Sequence, residues 1–238
     1  MIERVATTGS TNADLAERLS SNAAVPEGSW LIADRQSAGR GRRGRAWSDG
    51  AGNFMGSTVV HRQASDPMPA TLALVAGLVV HEVTAPLVPA PSRAVLKWPN
   101  DILIGPAKLS GILLEAVGTA VIVGIGVNLA QAPEVPGRET IALSAFGPAP
   151  DRDLFAAALA GHFGRELERW RSFGLEPLLR RWLAAAHPLG TPLAVGEPGE
   201  EPLQGTFAGL AADGALQLAL ADGTTRTIHA GEVRLATI

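Results

Sequence analysis

Between Val95 and Asn128 the chain reads VLKWPNDILIGPAKLSGILLEAVGTAVIVGIGVN. Val95 to Trp98 has the texture of a buried strand, and Pro99, which lacks an amide hydrogen for a ladder, stops it. Ile102 to Ile104, Gly111 to Val117 and Ala120 to Val127 are three further strand-like runs. Only Gly118 and Thr119 separate the last two, which predicts a hairpin. Gly124-Ile125-Gly126-Val127-Asn128 lacks the third glycine and the acidic residue of a dinucleotide fingerprint, but its glycines suit close approach of a ligand to the backbone.

Working outward, Trp30 to Ala33 and Asn53 to Val60 read as strands, and Ala70 to Val83 as a helix buried on most sides. Between the two strands, residues 34–45 are too Gly-rich and too charged to continue as sheet. Thr11 to Ser20 is an amphipathic helix with Ser10 or Thr11 as N-cap. Leu154 to Trp170 has helical spacing behind Asp151 or Asp153, and Leu175 to Ala186 follows as a second helix. Beyond Pro188 the pattern changes to short apolar runs separated by Asp213-Gly214 and Asp222-Gly223, the turns of β-hairpins. Residues 1–187 and 188–238 are therefore expected to form two domains, the second a small all-β unit.

The chain has 238 residues, is 46% hydrophobic and carries a formal net charge of -3. A core of ordinary size follows, with no bulk attraction for nucleic acid or anionic membrane. Cysteine is absent, which removes thiolate nucleophiles, disulfides and Cys-ligated metal. The N-terminus lacks a signal-peptide apolar core, and the apolar stretch Thr71 to Val83 falls short of a membrane helix. A cytoplasmic protein without membrane partners is the expectation.

Of twenty basic residues eighteen are Arg; the two Lys are Lys97 and Lys108. A compact ammonium can approach a single oxygen where a planar guanidinium fork cannot. Pro99 is expected to turn Asn100 and Asp101 out at the strand tip, and Lys108 opens the next strand, so an Asp and a Lys converge. Lys97, adjacent to Trp98, is expected to play a separate role, with Lys97→Arg milder than Lys108→Arg. Arg35, Arg40, Arg42, Arg43 and Arg45 crowd one loop with Gly39, Gly41 and Gly44, a combination that suits phosphate. Trp47 follows, either a core residue or a surface on which a base stacks. The five His residues have no metal spacing, and P-loop and GxSxG motifs are absent.

In their order and spacing, Ser10-Thr11-Asn12, the Gly39 to Arg45 loop with Trp47, Lys97-Trp98-Pro99-Asn100-Asp101, Lys108 with Gly111-Ile112-Leu113, and Gly124 to Asn128 resemble the biotin–protein ligases. The resemblance implies an α+β catalytic domain of the class II synthetase-like group shared with lipoate ligases, a mixed sheet with helices, followed by a small C-terminal SH3-like β-barrel. It implies ATP-dependent formation of biotinyl-5′-AMP and transfer of biotin to one lysine of a biotin carboxyl carrier protein, with Mg²⁺ on the phosphates. Biotin would meet Ser10, Thr11, Asn12, Gln36, Arg40, Gly41, Arg42, Lys108 and Gly111. ATP would meet Arg40, Arg42, Arg43, Trp47, Asn100, Lys108 and Asn128.

By the same resemblance the catalytic groups are Lys108, Arg42 and Asp101, the last beside the reacting centre toward the acceptor lysine or a metal. No metal ligand is assigned. Only nine residues precede Ser10, so no helix-turn-helix, DNA partner or repressor function is expected, and the protein would act as a monomer or homodimer. Two readings compete: a lipoate ligase of the same fold, and a non-catalytic module binding RNA or protein through the Arg loop.

Overall fold

In the computed structural model, which describes residues 1–21, 23–196 and 201–236, the hairpin at Gly118-Thr119 lies at the centre of a seven-stranded sheet. Its strands are β1 (Ile2–Thr8), β2 (Trp30–Gln36), β3 (Phe54–His61), β4 (Ala94–Lys97), β5 (Asp101–Ile104), β6 (Ala107–Val117) and β7 (Ala120–Val127), in the order β1-β2-β3-β7-β6-β5-β4. β1 runs parallel to β2; every other pair is antiparallel. The sheet is thus mixed and the architecture α+β, as expected.

Alternation along the strands sorts the two faces. Val121, Val123, Ile125 and Val127 of β7 enter the main core, together with Phe54, Leu96, Ile102 and Ile112. This face is covered by α2 (Leu72–Thr84), α3 (Arg152–Phe173) and α4 (Leu175–Ala185). Ala120 and Ile122 face the other way, against Leu15 of α1 (Thr11–Ser20), with Leu31 and Val59. Asp151 caps α3 by accepting from the backbone N–H groups of Asp153 and Leu154, both at 2.9 Å. The segment Pro69–Leu87 is long and apolar enough to cross a bilayer by composition, longer than expected, yet Leu72, Val75, Val79 and Val80 are buried in the core.

Two elements differ from expectation. β1 carries no strand signal in the sequence, because an edge strand held by backbone bonds to β2 needs no apolar alternation, and its side chains are mostly exposed. β2 continues through Asp34 and Arg35 to Gln36, because Thr7 and Thr8 of β1 pair with Arg35 and Gln36. Its charges are met at the sheet edge: Asp34 by Arg4 and Arg152, and Arg35 by Asp49.

A second, five-stranded antiparallel sheet contains β8 (Pro192–Gly196), β9 (Leu203–Leu210), β10 (Leu216–Ala219), β11 (Thr225–Ile228) and β12 (Glu232–Leu235), in the order β11-β10-β9-β8-β12. Residues 197–200, 237 and 238 lie outside the described residues. Both Asp-Gly turns form; Gly214 and Gly223 have φ of 86° and 84°, which favour glycine. Val195, Phe207, Leu216, Leu218 and Val233 join the same core as the helices, and the indole N–H of buried Trp98 donates to Gly214 O at 3.0 Å. The two sheets therefore pack as one body.

His187 sits at the crossing between α4 and this second sheet, with its buried Nε2 unpartnered. Burial, then Lys97 and Arg93, push its imidazole down to about 4. An unfolded chain binds that proton nearer 6.5, so this contribution to stability is present above about pH 6.5 and is lost as the pH falls toward 4. Urea melts between pH 4 and 7 should show a flatter stability profile for His187→Gln than for the native chain. Identical profiles would mean that His187 titrates in the fold as it does in the unfolded chain.

Candidate functional site

A cleft of about 1370 Å³ opens on the α1 face of the large sheet, beside β12. Its floor is built on absent side chains. A Cβ on Gly124 would lie 2.3 Å from Asn12 Oδ1, and one on Gly126 would lie 2.3 Å from the Trp47 ring. One on Gly111 would lie 2.8 Å from Lys108 Nζ. These glycines make room for site side chains as well as for a ligand.

Lys108 reaches this face because of a β-bulge. Leu103 pairs with Lys108 while its neighbour Ile102 pairs with Ser110, so an extra residue, Leu109, shifts the side-chain alternation. Leu109 goes to the core and Lys108 lies on the same face as Gly111. The bulge is tied down: Ser110 Oγ donates to Gly126 O at 2.7 Å, and the Asn128 N–H to Leu109 O at 3.0 Å.

Asp101 is not turned out at a tip. It opens β5, is 6% exposed, and faces the cleft, because the turn ends at Asn100 and Asp101 already pairs with Lys97 and Gly111. Lys108 Nζ donates to one carboxylate oxygen at 2.5 Å and Lys97 Nζ to the other at 3.1 Å. Cross-strand pairing thus brings Lys97, for which a separate role was expected, to the same carboxylate as Lys108. Arg138, from the segment after β7, lies 4.0 Å away. Burial pushes the Asp101 carboxyl up, but Lys97, Lys108 and Arg138 outweigh it and hold the group well below the usual carboxylate range. Burial, aided by Arg138 and Lys97, draws Lys108 down against the pull of Asp101. One carboxylate among three cations leaves the cluster positive, and so receptive to an anion.

The Arg loop lies above this cluster. Arg42 donates to Asn100 Oδ1 at 3.0 Å, and burial followed by the neighbouring Arg43 charge lowers its guanidinium. Arg45 pairs with Glu232 of β12 at 2.9 Å, and Arg43 lies 3.9 Å from the same carboxylate. Arg43 has φ of 61°, left-handed backbone that costs a non-glycine residue about 1 kcal/mol. Trp47 lies with Lys108 Nζ 5.6 Å from its ring centroid, within cation–π range.

The inner end of the cleft is polar and buried. Ser10, Thr11 and Asn12 form the start of α1; the Ser10 side chain makes no capping bond, so its hydroxyl is left to the cleft. The Thr11 N–H donates to Gln36 Oε1 at 2.8 Å, and Ser57 Oγ lies 2.6 Å from both Thr11 Oγ1 and Asn12 Oδ1. Asn128 donates to the carbonyls of Lys108 and Ile141. All of Ser10, Thr11, Asn12, Gln36, Arg40, Gly41, Arg42, Arg43, Trp47, Asn100, Asp101, Lys108, Gly111 and Asn128 line this one cleft. Sequence reasoning missed Ser57, Arg138 and Glu232. Ser57 hides inside a strand, and the other two reach the cleft only through the fold.

An inner end of paired hydroxyls and amides leads to a buried cationic cluster, an arrangement that suits a ligand with a polar head and an acidic tail. The sequence profile of the Biotin/lipoate A/B protein ligase family matches residues 5–129, and that of the biotin protein ligase C-terminal domain matches residues 189–235. The chain is 39% identical over 228 residues to the biotin–[acetyl-CoA-carboxylase] ligase of Paracoccus denitrificans, covering 90% of this chain and 92% of that protein. With the protein of the same description from Mycobacterium tuberculosis it shares 37% identity over 236 residues, 98% of this chain and 88% of the relative. The solved biotin protein ligase from Aquifex aeolicus in complex with biotin and ATP matches with a TM-score of 0.85 at 26% identity, covering 99% of each chain. The chain belongs to the Biotin/lipoate A/B protein ligase family.

Removing the shared carboxylate should expose its structural weight. Asp101→Asn leaves Lys97 and Lys108 buried without a counter-charge, and chemical denaturation should show a loss of about 3–5 kcal/mol. Lys97→Arg, overpacked at a site 8% exposed, should lose about 1–3 kcal/mol of stability. Native-like midpoints in both variants would show that the cluster does not hold the fold.

Proposed function

We propose that this chain is a biotin–protein ligase that uses ATP in two steps. A biotin carboxylate oxygen attacks the α-phosphorus of ATP, the bond to the β-phosphate oxygen breaks, and pyrophosphate leaves. The neutral amine of a carrier-protein lysine then attacks the acyl carbon of biotinyl-5′-AMP; AMP leaves and the amine proton is released. The observation that carries this reading is the positive cluster at Asp101 beside the buried amide-and-hydroxyl end: a neutral polar ring fits one and a carboxylate–phosphate pair the other.

In this reading Ser10, Thr11, Asn12 and Gln36 receive the ureido ring over the floor at Gly111. Lys108, Arg40, Gly41 and Arg42 surround the carboxylate and α-phosphate oxygens. Preorganised cations at that point stabilise the charge that develops on the phosphorus oxygens. Arg43 and Asn100 take the outer phosphates, Trp47 stacks on adenine, and the Asn128 amide oxygen meets its edge. Asp101, engaged by two ammonium groups and held deeply ionised, serves to fix them and is a poor acceptor for the amine proton. The match to a biotin protein ligase C-terminal domain favours biotin over lipoate.

Among the described residues no three His, Cys, Asp or Glu side chains are grouped to hold a metal. Asp101 and Glu232 are both met by cations. Mg²⁺ would come as the ion of the triphosphate and would supply charge neutralisation at its oxygens. The acceptor is a biotin carboxyl carrier protein, the setting cytoplasmic, and the chain acts as a monomer or homodimer with no DNA partner. The division into residues 1–187 and 188–238 belongs to the same reading, supported by the separate C-terminal match.

Pyrophosphate exchange into ATP should require biotin and Mg²⁺, and mass spectrometry of the incubation should show biotinyl-AMP. Lys108→Arg should lower exchange by at least ~10²-fold, the scale of removing one preorganised donor. Exchange supported by lipoate and not by biotin would overturn the assignment.

A further inference from the structure

Glu115 is on β6, on the same face as Gly111 by alternation, yet it is not among the residues that line the cleft. Its carboxylate accepts from Asn12 Nδ2 at 2.6 Å. Asn12 Oδ1 accepts from Ser57 Oγ at 2.6 Å, Ser57 Oγ lies 2.6 Å from Thr11 Oγ1, and Thr11 Oγ1 lies 3.2 Å from Gln36 Oε1. The five side chains form one chain of contacts from the sheet into the inner end of the cleft. Gly124 seats it, since a Cβ there would overlap the Asn12 amide.

Counting hydrogens fixes the direction of every link. A carboxylate oxygen beside an amide NH₂ accepts, so Glu115 holds the NH₂ side of the Asn12 amide toward itself and turns Oδ1 toward Ser57. Ser57 has one hydrogen and gives it to Asn12. The short Thr11–Ser57 contact then needs the Thr11 hydrogen, so Thr11 donates to Ser57. Gln36 Oε1 is left to accept from the Thr11 backbone N–H. Both hydroxyls have now used their hydrogens inward, and what they turn to the cleft is lone pairs. A ligand at this end must bring N–H donors.

We propose that Glu115 is a positioning residue that sets the hydrogen-bond polarity of the inner end, so that the site selects a ring bearing N–H groups. The inference rests on the biotin reading, in which those groups are the ureido N–H. In Glu115→Gln the Asn12 amide can turn over. Asn12 then donates to Ser57, Ser57 to Thr11, and Thr11 to Gln36 Oε1, a contact already at 3.2 Å. The reversed chain loses an acceptor for the ligand.

The test uses the full chain, biotin, and the biotin analogue in which one ureido N–H is replaced by a ring oxygen, a cyclic carbamate. Calorimetric titration of the native protein should show biotin bound at least ~10-fold tighter than the carbamate, the scale of one unmade buried hydrogen bond. Glu115→Gln should weaken biotin by at least ~10-fold and the carbamate by less than ~3-fold, with the kinetic loss falling on the KM for biotin and not on that for ATP. A second variant guards against mere misfolding. Glu115→Asp keeps a carboxylate, which can only accept from the Asn12 amide, and biotin selectivity should be retained.

Equal losses for both ligands in Glu115→Gln, or a loss of selectivity in Glu115→Asp equal to that in Glu115→Gln, would overturn the inference while leaving the biotin reading intact. Failure of the native chain to bind biotin would overturn both.

Discussion

A carboxylate buried between two ammonium groups persists only if the backbone holds all three within hydrogen-bond reach while water is kept out, and much of the cleft follows from that constraint. Asp101, Lys97 and Lys108 come from three adjacent strands, β5, β4 and β6. The strands bring them together by register alone for Lys97, and by an inserted residue for Lys108. The segment at Glu139 to Ile141 then clamps the Lys108 backbone from the outside, with the Lys108 N–H donating to Glu139 O and the Ile141 N–H to Lys108 O. The pair of lysines is thus fixed before any ligand arrives, which lowers the cost of ordering them around one.

The glycines of the floor and the charges of the rim work at different ranges. Gly111, Gly124 and Gly126 act by contact, clearing room for Lys108, Asn12 and Trp47. The arginine loop acts through charge, and its self-repulsion is relieved within the molecule: Asp49 takes Arg35, Asn100 takes Arg42, and Glu232 takes Arg45 and Arg43. A phosphate entering the cleft therefore meets donors that already have partners, and must compete for them.

The hairpin, the helices, the Asp151 cap and many of the residues that line the cleft were legible in the sequence, because those signals are local. Asp213-Gly214, the spacing of Leu154 to Trp170 and the Ser10 to Asn12 start of α1 each depend on neighbours a few residues away. What escaped was set by pairing partners. β1 has no alternation to read, and Asp34 to Gln36 look like loop until β1 supplies their ladder. Asp101 reads as a turn residue beside Pro99, although its strand begins there. Simple alternation puts Lys97 apart from Lys108, a reading that the bulge at Leu109 defeats. Arg138 and Glu232 carry no local signal, since each acquires its role from residues far along the chain.

The contact between Arg45 and Glu232 joins residues 187 positions apart, which gives the molecule a history as well as a geometry. During synthesis the arginine loop leaves the ribosome long before its counter-charge exists, and the core face that Val233 closes is also still bare. A chain halted before β12 would hold the lysines, the glycine floor and the arginines, yet present them as a sticky, cationic surface. Docking of β12 brings Glu232 to those arginines and Val233 to that core face.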